Sequence, residues 1–163
     1  MLQDVKEILF SEEVINAKIK ELATRISDDY KGKDLLVVGV LKGSVIFAAE
    51  LIKNITIPCE IDFMAVSSYG NSSETTGVVR ILKDLDHEIS GKDIIIVEDI
   101  VDSGVTLDYL LNYLKARKAN SVEIVSLLTK PSRRKVDIDC KYIGFEAPDE
   151  FLVGYGLDYA EKY

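Results

Sequence analysis

Short apolar runs alternate along this chain with longer segments whose apolar residues recur every three or four positions. The clearest pair begins at Asp93–Asp99 (DIIIVED) and continues into Leu107, Leu110, Leu111 and Leu114. A run apolar at consecutive positions is buried on both faces, which requires a sheet covered on both sides. The i, i+3, i+4, i+7 spacing that follows is that of an amphipathic helix. Leu35–Val40 (LLVVGV) and the helical segment Ser44–Lys53 repeat the pattern. Ile61–Val66, Val78–Leu82 and Val122–Leu128 are further strand segments, with shorter ones at Tyr142–Phe145 and Leu152–Tyr155. Ser11 with Glu12 and Glu13 opens a helix, and Ile15, Ile19, Leu22 and Ile26 hold its period to about Tyr30. Strands alternating with helices predict an α/β fold: a central, mostly parallel sheet flanked by helices, with right-handed crossovers.

Composition narrows the function. The chain has 163 residues, the size of one domain, and carries a net charge of −8. That balance opposes non-specific nucleic-acid binding, which needs a basic face. Cys59 and Cys140 stand far apart, with no CxxC or Cys/His spacing, so neither a disulfide scaffold nor a zinc site is expected. The one histidine, His87, sits between Asp86 and Glu88 in a polar stretch, which excludes any mechanism needing two. No apolar run approaches 18 residues, and the N-terminus lacks a charged-then-apolar signal. A cytoplasmic protein without membrane partners is expected.

The segment Ile94–Leu107 (IIIVEDIVDSGVTL) concentrates the chemistry. A buried strand runs into Glu98 and Asp99; Asp102 follows three residues on, then Ser103, Gly104 and Thr106 at a helix start. Ligands of open α/β sheets bind at the carboxyl ends of strands. A glycine flanked by hydroxyls at a helix start cradles an anion. The carboxylates oppose a phosphate unless a divalent cation bridges them or sugar hydroxyls donate to them. The segment therefore suits a phosphorylated sugar with Mg²⁺. Helix capping explains Asp102 or Ser103 taken singly. It does not explain Glu98 and Asp99, which end the most apolar strand. Neither GxxxxGK[ST] nor a GxGxxG after a strand is present. The polar stretch Ser67–Gly77 (SSYGNSSETTG) is longer than a hairpin needs, so it is either a surface loop or a lid anchored by Tyr69.

VEDIVDSGVT resembles the 5-phosphoribosyl-1-pyrophosphate (PRPP) motif of the type I phosphoribosyltransferases. Val38–Ser44 (VGVLKGS), Ser68–Asn71 (SYGN), Leu127–Arg134 (LLTKPSRR) and Gly144–Tyr159 (GFEAPDEFLVGYGLDY) resemble the hypoxanthine-guanine members, in the same order and over nearly the whole chain. The resemblance implies the type I phosphoribosyltransferase fold over residues 1–163. The core would span roughly 30–130, and a small C-terminal hood would form from the N-terminal segment and roughly 131–163. It implies Mg²⁺-dependent transfer of ribose 5-phosphate from PRPP to hypoxanthine or guanine, giving IMP or GMP and pyrophosphate in purine salvage. It also implies a homo-oligomer, dimer or tetramer.

Site residues carry over one by one. Glu98 and Asp99 would hold the ribose hydroxyls, directly or through Mg²⁺. Asp102, which would also line the ribose-phosphate site, would exchange a proton with the purine's N7. Ser103, Gly104, Val105 and Thr106 would wrap the 5-phosphate. Leu41, Lys42 and Gly43 would face pyrophosphate across a cis Leu41–Lys42 bond, and Arg134 would lie near that side, with Arg133 adjoining it. Lys130 would donate to the 6-oxo group, which suits hypoxanthine or guanine and not adenine's amino group. Phe151 would stack on the ring, Leu152 would present its backbone to the base edge, and Asp158 would help bind a second Mg²⁺. Ser68 and Tyr69 would close as the lid. The family continues past its counterpart of Asp158–Tyr163 with an arginine touching pyrophosphate and a final strand, a departure at which pyrophosphate contacts of the given sequence, which stops at Tyr163, are expected to differ. Three alternatives stay open: a PRPP-sensing regulatory relative that binds RNA, a Mg²⁺-phosphosugar binding module without transfer, and, within the enzyme class, xanthine or broad purine preference.

Overall fold

The computed structural model describes residues 2–68 and 78–163. The N-terminal segment carries one short 3-10 turn, Leu2–Asp4. Helix α1 spans Glu12–Asp29, and Ser11 caps it by accepting a 3.3 Å hydrogen bond from the Val14 amide. The other helices are α2 (Val45–Asn54) and α3 (Val105–Ala116). Six strands follow one another as β1 (Leu35–Leu41), β2 (Glu60–Ser68), β3 (Val79–Lys83), β4 (Asp93–Val101), β5 (Ser121–Thr129) and β6 (Tyr142–Glu146). They form one sheet in the order β3-β2-β1-β4-β5-β6, parallel except for the antiparallel pair β2–β3.

Strand periodicity explains why both faces are covered. In β1, Leu35 and Val37 pack on the side of α1 and α2, while Leu36, Val38 and Val40 pack on the side of α3. In β4, Ile95 and Val97 join the first cluster, and Ile94 and Ile96 the second. All four isoleucine and valine side chains are fully buried. Each contributes about 1.5–3 kcal/mol relative to exposure. Gly39 falls on the α2 face, where a Cβ would lie 2.8 Å from the Phe63 ring.

Several strand bounds differ from the periodicity by one or two residues, β4 among them, which ends at Val101 and not at Asp99. β2 runs on to Ser68 because Ser67 and Ser68 pair with Arg80 and Val79 of β3. The expected strand at Leu152–Tyr155 does not form. Gly154, Tyr155 and Gly156 have φ of 93°, 54° and 96°, so the chain folds back and makes only an isolated Gly154–Leu157 bridge. No helix among the described residues is long and apolar enough to cross a membrane.

Candidate active site

The strand order places the site. From β1 the chain crosses to β2 on one side, while β4 lies on the other. The loops leaving β1 and β4 therefore part at their carboxyl ends and open a crevice there. One wall is Leu41–Gly43, whose Leu41–Lys42 peptide bond is cis. The other is Glu98–Gly104. The walls touch at Gly43, where a Cβ would lie 1.9 Å from Asp99 Oδ2. Only a glycine admits the Asp99 carboxylate this close. Ser44 anchors the first wall from below, its buried hydroxyl donating to the Val40 carbonyl at 2.7 Å.

Glu98 and Asp99 are neighbours near the carboxyl end of β4, which runs on past them to Val101 because Ile100 and Val101 still pair with Leu128 and Thr129 of β5. The Glu98 Oε1 accepts from the Asp99 amide at 3.1 Å, and Asp99 Oδ1 accepts from the Ile100 amide at 2.7 Å. Burial, with the Asp99 charge beside it, pushes the Glu98 carboxyl well above the usual carboxylate range. Two carboxylates held together in this way fit a bound cation or a set of donating hydroxyls. Among the described residues no three His, Cys, Asp or Glu side chains converge as a metal cluster. Glu98 and Asp99 would leave further coordination positions to ligand oxygens.

The turn Asp102–Gly104 leads straight into α3. Gly104 is the N-cap residue with φ 83°, and a Cβ there would meet Arg134 Cδ at 3.1 Å. Its carbonyl accepts from Asp108, but it has no side chain with which to cap. The nearest hydroxyl, Ser103 Oγ, is a long 3.4 Å from the Val105 amide. The opening amides of α3, including that of Thr106, thus face the turn with little capping, the arrangement that receives an anion. The Ser103 carbonyl, turned the other way, accepts from Lys135 and Val136 at 2.9 and 3.2 Å.

Facing this turn is the segment after β5. Lys130 is buried, and its Nζ donates to the Glu150 carbonyl at 2.6 Å. Phe151, next in the chain, is 70% exposed and meets Tyr159 edge-on at 5.4 Å. Leu152 is half-buried against the α1–α2 core cluster. Arg134 turns inward, donating from Nη2 to Thr129 Oγ1 at 2.8 Å, and packs beside Gly104. Arg133 is the one that approaches Asp102, with Nε 3.3 Å from Oδ1. The RR dipeptide alone does not show this, because adjacent side chains point to different sides of a short turn.

Tail and loop then meet. A Cβ on Gly156 would lie 2.1 Å from the Gly43 carbonyl oxygen, so the 154–157 turn closes on the β1 loop. Lys42 Nζ pairs with Glu161 Oε1 at 2.9 Å, and Asp158 Oδ2 accepts from the Glu161 amide at 2.5 Å. The importance of Gly156 was not visible in composition; its trace in the sequence is the GYG spacing. A cavity of about 1210 Å³ adjoins this corner, reaching Asp99 and Phe151 and extending under Tyr155 toward Ile8 and Glu50. Its lining does not include Asp102 or Lys130. Ser68 is exposed at the end of β2; Tyr69 lies outside the described residues.

The comparisons agree with this geometry. A family model described as phosphoribosyl transferase domain matches residues 6–160. The hypoxanthine-guanine phosphoribosyltransferase of Bacillus subtilis is 53% identical over 163 residues, all of this chain and 91% of that protein. That of Streptococcus agalactiae is 54% identical over 160 residues, covering 98% of this chain and 89% of its own length. The crystal structure of a hypoxanthine phosphoribosyltransferase from Staphylococcus aureus superposes with a TM-score of 0.97 at 53% identity, covering all of this chain and 89% of that one. With the crevice, the acid pair and the uncapped turn in place, these matches establish that the chain belongs to the phosphoribosyltransferase family, in its hypoxanthine-guanine branch.

Proposed function

We propose that this chain transfers ribose 5-phosphate from PRPP to hypoxanthine or guanine, yielding IMP or GMP and pyrophosphate, in cytoplasmic purine salvage. The observation that carries this reading is the close approach of Gly43 to Asp99, three residues before the Asp102–Thr106 turn, at the crevice the strand order opens. The two free thiols, Cys59 and Cys140, accord with a reducing compartment.

In this reading the 5-phosphate sits in the Asp102–Thr106 turn, on the α3 amides and the hydroxyls of Ser103 and Thr106. Glu98 and Asp99 hold the ribose hydroxyls. The Leu41–Gly43 loop faces the diphosphate, with Arg134 as the nearby positive charge. Phe151 offers an open ring face for stacking, and Leu152 its backbone to the base edge. Lys130 spends one of its three N–H donors on Glu150 and keeps capacity for the 6-oxo group. Asp102 accepts the N7 proton as the purine's N9 attacks C1 of the ribose and the bond to pyrophosphate breaks. Positive charge developing on the ribose is stabilised by the nearby carboxylates. Glu98 and Asp99, with Asp158 toward a second ion, would hold Mg²⁺, which when bound offsets charge on the departing pyrophosphate. Ser68 and Tyr69 close over the reactants. Self-association as a dimer or tetramer accords with the exposed Val78 and Leu82 at edge strand β3.

The test is direct. The purified chain is given PRPP and Mg²⁺ with hypoxanthine, guanine, xanthine, adenine or uracil in separate reactions, and nucleotide is followed by chromatography. Product from hypoxanthine and guanine alone is expected. Product from adenine would remove the selecting role of Lys130, and none from any base would leave a PRPP binder.

A further inference from the structure

Arg133 joins two parts of the site that lie on different segments. Its Nε is 3.3 Å from Asp102 Oδ1, and its Nη1 is 3.7 Å from Asp149 Oδ1. Asp102 Oδ1 is sealed from solvent and accepts no hydrogen bond. A carboxylate oxygen in that state is costly unless a charge faces it, and the guanidinium does. The Asp102 side chain as a whole is half exposed, so its other oxygen stays open to solvent. Asp149, the other end of the link, precedes Glu150, whose carbonyl holds Lys130, and Phe151, whose ring is open. The Arg133 amide in turn donates to the Lys130 carbonyl at 3.1 Å, so the arginine rides on the turn that follows Lys130.

We infer that Arg133 is a positioning residue. It sets the orientation of the Asp102 carboxylate, leaving one oxygen toward the substrate, and ties it through Asp149 to the segment carrying Phe151. The proton acceptor and the stacking wall for the purine are thereby placed by one side chain. The planar, forked guanidinium can face two carboxylates at once; an ammonium is a point charge and faces one well. The inference rests on the proposed role of Asp102 in the transfer.

The experiment measures single-turnover nucleotide formation and the KM of each substrate for wild type, Arg133→Ala, Arg133→Lys, Asp149→Ala and the Arg133→Ala/Asp149→Ala pair, with thermal melting of each. Arg133→Ala is expected to slow the single turnover about tenfold to a hundredfold, the scale of a misplaced reacting group. It should also raise the purine KM, with the PRPP KM and the melting temperature held. Asp149→Ala should raise the purine KM and leave the turnover rate within about twofold. Arg133→Lys should restore the rate but not the purine KM, and the double variant should show a purine KM no worse than Arg133→Ala. Wild-type values for Arg133→Ala, or a loss of melting temperature with both KM values raised alike, would overturn the inference while leaving the proposed function standing. A wild-type chain that forms no nucleotide would overturn both.

Discussion

The end of β4 with the turn after it, and the C-terminal segment, both carry candidate site residues, yet they are held in place by different means. Glu98 and Asp99 lie in, and Asp102 just after, a strand whose five leading residues, Asp93 to Val97, are buried and which pairs in register with β1 and β5. Phe151, Leu152 and Asp158 lie on chain with no strand or helix, folded back by three successive positive-φ residues and pinned where Gly156 meets Gly43. In the proposed reaction, the groups that meet developing charge are set by a paired strand, and those that meet the flat base by a turn and one close contact. Preorganised dipoles and charges lose their value if they relax, whereas a stacking wall must open.

That contrast can be broken experimentally. The largest effect belongs to Asp102→Asn: nucleotide formation should fall roughly 10²–10⁴-fold with the melting temperature unchanged, as expected for loss of a proton acceptor, and steady-state kinetics with a thermal melt checks both. Next is a pair. Ile96→Ala opens a cavity at the paired strand and should cost about 2–5 kcal/mol in denaturant unfolding. Phe151→Ala removes an exposed ring and should leave unfolding nearly untouched while raising the purine KM. Equal stability losses in the two would erase the distinction.

Within the C-terminal segment, Gly154 and Gly156 separate strain from contact. Both have φ near +95°, but a Cβ meets nothing within 4 Å at Gly154 and the Gly43 carbonyl at Gly156. Gly154→Ala should cost roughly 1–2 kcal/mol of left-handed strain alone. Gly156→Ala should add a higher PRPP KM, because the β1 loop must move. The smallest effect concerns Asp62, whose buried carboxylate is disfavoured by desolvation but drawn below its usual range by the Asp86 and Phe63 amides and by Lys83. Its folded value lies below its unfolded one. Its contribution is therefore complete above the unfolded pKa of about 3.9 and fades as pH falls through the folded value. Asp62→Asn should be less stable than wild type at neutral pH, with the gap closing below about pH 4 in acid unfolding curves.

How legible each region was follows from the same contrast. The β4–α3 unit announces itself locally: consecutive apolar residues, then acids, glycine and hydroxyls, then helical spacing. Each signal lies within a few residues of the group it positions. The Leu152–Tyr155 segment has strand-like composition, but its conformation is set by Gly154 and Gly156 and by the surface they close on, so propensity fails there. Likewise, β2 reaches Ser68 because a partner strand satisfies polar backbone that apolar patterning does not see.

Sequence by itself determined the layered α/β architecture and the family, and it singled out the acid-rich turn as the candidate site. Periodicity and local motifs need only neighbours in the chain. Tertiary structure alone decided that Asp99 lies against Gly43, that Gly156 seals the same corner, and that Arg133 rather than Arg134 faces Asp102. Those pairs are brought together by strand order and side-chain direction, and distances of that kind arise only when the sheet has formed.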